Sequence, residues 1–213
     1  MIQEPPIQSY YEQVETISSN QLTLSSYELG IQEYINGTDA NVSGNFKIWI
    51  DHILTFLPPN ARVIEVGSGF GRDAKYIESF GFEVERTDAT LSFVNLLQGQ
   101  GYSAHEFNIL TDAFSTQYDL VFANAVFLHF TPQELEKTFE KIHTALNKNG
   151  VLAFSVKRGE GEEWTTAKLE RPRYFCYWTV TALCQKLESA RFEILSILED
   201  EKFIQVIAKP LST

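Results

Sequence analysis

Apolar positions along this chain alternate between a helical and an extended period, and the switches lay out the elements. From Phe46 to Phe56 the apolar residues recur at helical spacing, and Pro58-Pro59 stops the pattern. A β-branched run at 62–66 then predicts a strand, followed by a glycine turn and a helix over about 71–80 that Gly81 closes. A second strand is predicted at about 82–87, a helix from Thr90 to Leu97, a weak third strand around 102–108, and a strong fourth at 119–123. Thr131-Pro132-Gln133-Glu134 opens the next helix: Thr131 caps it, Pro132 fits its first turn and Glu134 completes a capping box. Leu135, Phe139, Ile142 and Leu146 line one face of that helix, and Asn149-Gly150 is predicted to end it. A fifth strand follows at about 151–156, then a helix from Thr179 to Ser189, and two final strands begin at Phe192 and Phe203.

Strands alternating with helices predict a doubly wound α/β fold with a mostly parallel, seven-stranded, Rossmann-like sheet. The ending is different. Only the five residues from Leu198 to Lys202 join the last two strands. A parallel crossover takes about a dozen or more residues, so these strands form an antiparallel hairpin. Residues 1–45 are polar and weakly periodic, with Gly37, Asn41 and Gly44 in a loop-like stretch and a short helix predicted around Tyr10 to Val14. They are an appendage, a tail or a lid, to one domain at 46–213.

Composition narrows the function. Seventeen Lys+Arg against 28 Asp+Glu give a net charge of −11, which supplies no overall basic footprint for nucleic acid. Cys176 and Cys184 make no disulfide framework and read as small buried hydrophobes. His52, His105, His129 and His143 have no ligand spacing, so no metal site is expected. The N-terminal residues lack a basic region followed by an apolar run, and no apolar stretch is long enough to span a bilayer. A cytoplasmic protein without membrane insertion, a monomer or homodimer, is the expectation.

The chemistry concentrates after the first strand, in Glu65-Val66-Gly67-Ser68-Gly69-Phe70-Gly71-Arg72-Asp73. In open α/β sheets, ligands bind beyond the carboxyl ends of the strands. Alternating glycines let the backbone turn tightly and approach a ligand, with free N–H groups of the following helix beside it. The dinucleotide pattern G-x-G-x-x-G fits at Gly67 and Gly69 but meets Arg72 at its third position, with Gly71 one residue early. Asp88 lies 21 residues after Gly67 at the end of the second strand, where a carboxylate can take a ribose hydroxyl pair.

These segments resemble a known family. VIEVGSGFGRDAKYI with FEVERTDAT, then YDLVFANAVFLHFTPQEL, then GVLAFSVKRGEGEEW and the RYFCYW ending, look like the successive motifs of class I S-adenosylmethionine-dependent methyltransferases over about residues 46–210. Among these the chain looks closest to small-molecule enzymes of the ubiquinone/menaquinone-biosynthesis and tellurite-resistance type. The resemblance implies S-adenosylmethionine as cofactor, S-adenosylhomocysteine as product, and methyl transfer to an O, N or S atom of a small-molecule acceptor. A methyltransferase acting on RNA or protein, or a non-catalytic cofactor-binding module, is the alternative. By the same resemblance, Gly67, Ser68, Gly69 and Gly71 lie beside the methionine part of the cofactor. Glu65 orients the loop, and Arg72 reaches toward the cofactor carboxylate. Asp88 takes the ribose and Ala89 sits by the adenine, with Asn108 (where relatives often have an acid) and Ile109. Asn124 and Ala125 lie under the sulfonium. His129 is the candidate base. Tyr10, Tyr11, Lys157, Arg158 and Tyr177 are the substrate candidates, with Tyr174, Phe175 and Trp178 either an aromatic roof or core.

Overall fold

The computed structural model describes residues 17–211. The apolar runs read as central strands become the middle of the sheet: β1 (Arg62–Val66), β2 (Glu83–Asp88), β3 (Ala104–Glu106), β4 (Tyr118–Ala123) and β5 (Leu146–Arg158). They run parallel in the order β3-β2-β1-β4-β5. The order reverses between β1 and β4, which places a switch point at the carboxyl ends of these two strands. Beyond β5 the sheet forks. β6 (Glu162–Thr165) and β7 (Arg173–Trp178) form an antiparallel hairpin whose second strand runs parallel to the end of β5. β8 (Phe192–Glu199) and β9 (Phe203–Pro210) form the expected antiparallel C-terminal pair, with β9 between β8 and β5.

Among the described residues the sheet therefore has nine strands, not seven. The two extra ones are β6 and β7. Five of the six residues of β7 are buried, so no alternation of apolar and polar positions marks it as a strand.

The helices are α1 (Ser19–Leu29), α2 (Ile31–Asn36), α3 (Gly44–Leu54), α4 (Arg72–Glu78), α5 (Leu91–Gly99), α6 (Pro132–Ala145) and α7 (Val180–Ser189). Thr131 caps α6 with a reciprocal Glu134 bond, as its sequence predicts. The helix ends earlier than expected, however. Leu146 is already extended and opens β5, and Asn149-Gly150 lies within that strand. The reason is local: a Cβ at Gly150 would stand 2.7 Å from the Tyr118 carbonyl oxygen, so glycine is needed for strand contact rather than for a helix end.

Strand pleating sorts the core into two layers. Ile64, Val66, Val121 and Ala123 join Phe139 of α6 and Leu183 of α7 on one face. Val63, Leu120 and Phe122 join Trp49 and Ile53 of α3 and Ile77 of α4 on the other. Burial of such side chains contributes about 1.5–3 kcal/mol each and fixes the strand ends on which the site is built. Among the described residues, no helix is long and apolar enough to cross a membrane.

Candidate active site

Beyond the carboxyl ends of β1, β2 and β4 lies a cavity. Its floor is backbone. The loop after β1 turns through Gly67, Gly69 and Gly71 at φ of +74°, +54° and +82°, a region costly for any side chain. Two of these glycines are also demanded by packing. A Cβ at Gly67 would stand 2.5 Å from Val126 Cγ2, and one at Gly71 would stand 2.7 Å from Leu97 Cδ2. Gly67 and Gly69 line the cavity. Gly71 does not; its place is the close fit of α4 against α5.

Asp88 ends β2 and lines the cavity with Ala89. One carboxylate oxygen accepts from the Gly69 N–H and the other from the Thr90 N–H, each at 2.9 Å, so this side chain locks the glycine loop to the second strand. Burial pushes its carboxyl up to about 6, while the two backbone bonds pull the other way. Asn108 and Ile109 complete that wall, with the Asn108 amide donating to Asn20 Oδ1 at 2.9 Å.

Asn124 and Ala125, after β4, form the opposite wall through a short polar chain. Arg72 Nε donates to Asp73 Oδ1 (2.5 Å), and Asn124 Nδ2 donates to Asp73 Oδ2 (2.9 Å). The Ser155 hydroxyl donates to Asn124 Oδ1 (2.6 Å) and accepts from the Ala125 N–H (2.9 Å). That last bond holds Ala125 at a φ of +57°, a conformation rare for alanine. Glu65 and Ser68 lie buried beneath the loop rather than on the cavity wall. Burial and the Asp73 charge raise the Glu65 carboxyl well above the usual carboxylate range. Arg72 faces a neighbouring hollow, not the cavity.

The roof comes from the stretch expected to be a tail or a lid, in two helices that the apolar pattern did not predict. Asn20, Thr23 and Tyr27 of α1 and Tyr34 of α2 line the cavity, from a stretch that reads as an irregular appendage. Tyr27 donates its hydroxyl to His129 Nε2 at 2.8 Å. The donor follows from the other side of the ring. His129 Nδ1 lies 2.6 Å from the Tyr174 carbonyl oxygen, which only accepts, so Nδ1 holds the proton and Nε2 is the lone pair. Burial pushes the imidazole down to about 3, so it is neutral. Arg173 Nη1 in turn donates to the Tyr27 oxygen at 3.0 Å. Burial raises the Tyr27 phenol, and Arg173 opposes that rise.

The expected substrate residues do not gather here. Lys157 lies 4.3 Å over the Phe203 ring. Arg158 pairs with Glu199 at 3.5 Å and donates to the Asp200 carbonyl. The Tyr177 hydroxyl donates to Glu163 on β6. All three occupy the β5–β7 and β5–β9 junctions, outside the cavity wall, because those strands continue past the sheet's switch point. Tyr174 and Phe175 serve His129 instead, one by its carbonyl and the other by an edge-on ring contact with centroids 4.7 Å apart. Trp178 is core. Tyr10 and Tyr11 lie outside the described residues.

Residues 42–197 match the family model described as a methyltransferase domain. The chain belongs to this family and is an S-adenosylmethionine-dependent methyltransferase. It is similar to a phosphoethanolamine N-methyltransferase of Plasmodium falciparum, 26% identical, over 93% of this chain and 77% of that protein. Its fold is that of the CcbJ methyltransferase from Streptomyces caelestis, with a TM-score of 0.71, 14% identity and coverage of 88% and 98%. The DhpI-SAM-HEP complex shares the fold at a TM-score of 0.70, with 16% identity and coverage of 90% and 97%.

The residues of this methyltransferase fit such a cofactor. Gly67 and Gly69 put no side chain into the cavity, and a buried carboxylate on its wall suits ligand hydroxyls.

Proposed function

We propose that this cavity holds S-adenosylmethionine and that the enzyme moves its methyl group to an O, N or S atom of a small-molecule acceptor. Nitrogen has the most support, from the name of the Plasmodium falciparum relative. Gly67, Gly69, Asp88, Ala89, Asn108 and Ile109 hold the cofactor, and Asn124 and Ala125 back the reacting end. Bound there, it supplies a methyl group already activated on a sulfonium.

The chain's own residues then position and dehydrate. α1 and α2 cover the site and exclude water. Tyr27 accepts a hydrogen bond from the acceptor's nucleophilic group while its own proton points at His129 Nε2. A buried imidazole resists protonation, so the pair mainly orients the nucleophile. It takes the departing proton only as the new bond forms, when that proton becomes acidic. The observation that carries this reading is the Tyr27–His129 hydrogen bond on the wall of a cavity floored by the glycine loop.

The test is calorimetric titration with S-adenosylhomocysteine, with NADH as control. Micromolar binding of the first and none of the second is expected. Asp88→Ala weakens the binding by about 1–3 kcal/mol if the carboxylate takes ligand hydroxyls. Equal affinity in that variant removes the role.

A further inference from the structure

We infer that the acceptor carries an anionic group and that Lys168 binds it, in a hollow that shares a wall with the methyl-transfer cavity. The inference rests on the reading above and adds a substrate class to it. The hollow meets the cavity at Tyr34, Asn124 and Ala125, the last two being the wall assigned to the reacting end. Its own lining adds Lys168, the Thr38 hydroxyl, Arg72, which is paired with Asp73, and the carboxylates of Asp39 and Asp200. An acceptor seated there presents its nucleophile toward the cavity and its other end toward Lys168.

Lys168 is set up for a ligand. Its ammonium lies 4.2 Å from the centre of the Tyr34 ring and donates one hydrogen bond, to Thr38 Oγ1 at 2.6 Å. An ammonium has three protons to donate. Its backbone is held at a φ of +72° in the turn between β6 and β7, a conformation that persists only where the surroundings impose it.

Behind it stands Arg173, 5% exposed. Two of its nitrogens donate to uncharged oxygens, the Tyr27 hydroxyl and the Ala167 carbonyl, and its Nε has no partner. Among the described residues, neither Lys168 nor Arg173 forms an ion pair with a carboxylate. A buried guanidinium without a counter-charge is costly. In a chain of net charge −11, acidic partners were abundant. Positive charge also accumulates around Lys168. After burial, Arg173, Arg72 and Lys157 push its ammonium down to about 8, and Asp39 acts the other way. A carboxylate, phosphate or phosphonate on the acceptor supplies the missing anion, and such charges interact strongly where water is excluded.

The experiment uses the full chain saturated with S-adenosylhomocysteine. Calorimetry follows inorganic phosphate, acetate and, as an uncharged match for acetate, acetamide. Saturable binding of phosphate or acetate and none of acetamide is expected. Preference for phosphate assigns a phosphoryl or phosphonyl group, and preference for acetate a carboxylate. Lys168→Met keeps the apolar stem and is expected to weaken the anion about tenfold or more, one charged hydrogen bond's worth. Lys168→Arg restores it. A protein that takes S-adenosylhomocysteine but neither anion overturns this inference alone, as does undiminished anion binding by Lys168→Met. A protein that takes none of the three overturns the functional reading as well.

Discussion

The floor and the roof of the cavity are built by opposite means. The floor rests on buried strands: Ile64 and Val66 of β1 and Val121 and Ala123 of β4 sit in the core, and the loop above them is pinned by backbone bonds to Asp88. The roof helix α1 buries Asn20, Thr23 and Ser26, all polar, and leaves Leu29 63% exposed. It is held by hydrogen bonds along its length: Asn20 to Asn108, Thr23 to the Tyr174 N–H, Ser26 to the Pro172 carbonyl, Tyr27 to His129 and Glu28 to Ser92. An element docked by polar contacts exchanges them for water at small net cost, whereas one docked by apolar area does not. The floor is therefore the rigid half of this site and the roof the half that can open for ligands to enter.

Breaking the floor should have the largest effect. Gly67→Val forces a side chain into a positive φ and onto Val126, with strain of about 1–3 kcal/mol from the backbone alone. S-adenosylhomocysteine binding by calorimetry should be lost while a thermal melt still shows a cooperative transition. Retained affinity would mean the loop does not meet the ligand. The roof's chemistry comes next. Tyr27→Phe keeps the ring and deletes one hydroxyl, so kcat should fall about a hundredfold, in the range of a lost proton-handling group. Affinity for S-adenosylhomocysteine should hold, because the floor is intact. A parallel loss of both would place Tyr27 in cofactor binding instead.

The two halves also differ in what the chain reveals of them. The floor leaves marks on composition because its demands are local. Three glycines within five positions, a β-branched strand before them and an acid at the next strand's end are all consequences of one tight turn. The antiparallel β8–β9 pair is equally legible, because too few residues lie between its two apolar runs for a parallel crossover. The roof depends on partners distant in sequence. Arg173 and Tyr27 are 146 positions apart and Tyr27 and His129 are 102, and no period or spacing announces such pairs. Polar docking also leaves α1 without the apolar stripe that identifies a helix. One signal was present. Ser18 and Gln21 form a reciprocal capping box, and Gly30 ends the helix, so the punctuation of α1 was readable where its periodicity was not.

Acid sharpens the contrast through two buried groups. Asp88 has its pKa raised to about 6, so its charged form is disfavoured in the folded state. If ligand hydroxyls donate to the carboxylate, affinity for S-adenosylhomocysteine should be flat above pH 7 and fall about tenfold per unit below pH 6. Fold stability responds to Asp88 with the opposite sign. A carboxyl that holds its proton more tightly when folded stabilises the fold as pH drops from about 6 toward its unfolded value of 3.8. His129, lowered from 6.5 to about 3, contributes stability that is present above 6.5 and is lost as pH falls toward 3. A binding curve that weakens below pH 6 while the melting temperature holds steady separates Asp88 from general acid unfolding.

The smallest expected effect tests whether the roof is a separate unit of stability. Glu28 reaches from α1 to the start of α5, where its carboxylate accepts from the Ser92 N–H at 3.1 Å and the Ser92 hydroxyl at 2.6 Å. An anion at a helix N-terminus is favourable, and α5 receives no side-chain bond from its own cap residue, Thr90. Glu28→Ala should therefore cost about 1 kcal/mol. The location of that cost is the informative part. If the roof opens on its own, hydrogen exchange should quicken for amides of 19–29 and the first turn of α5, with those of β1 and β4 unchanged. Uniform acceleration across β1, β4 and α1 would mean that roof and floor unfold together, and the division drawn between them would fail.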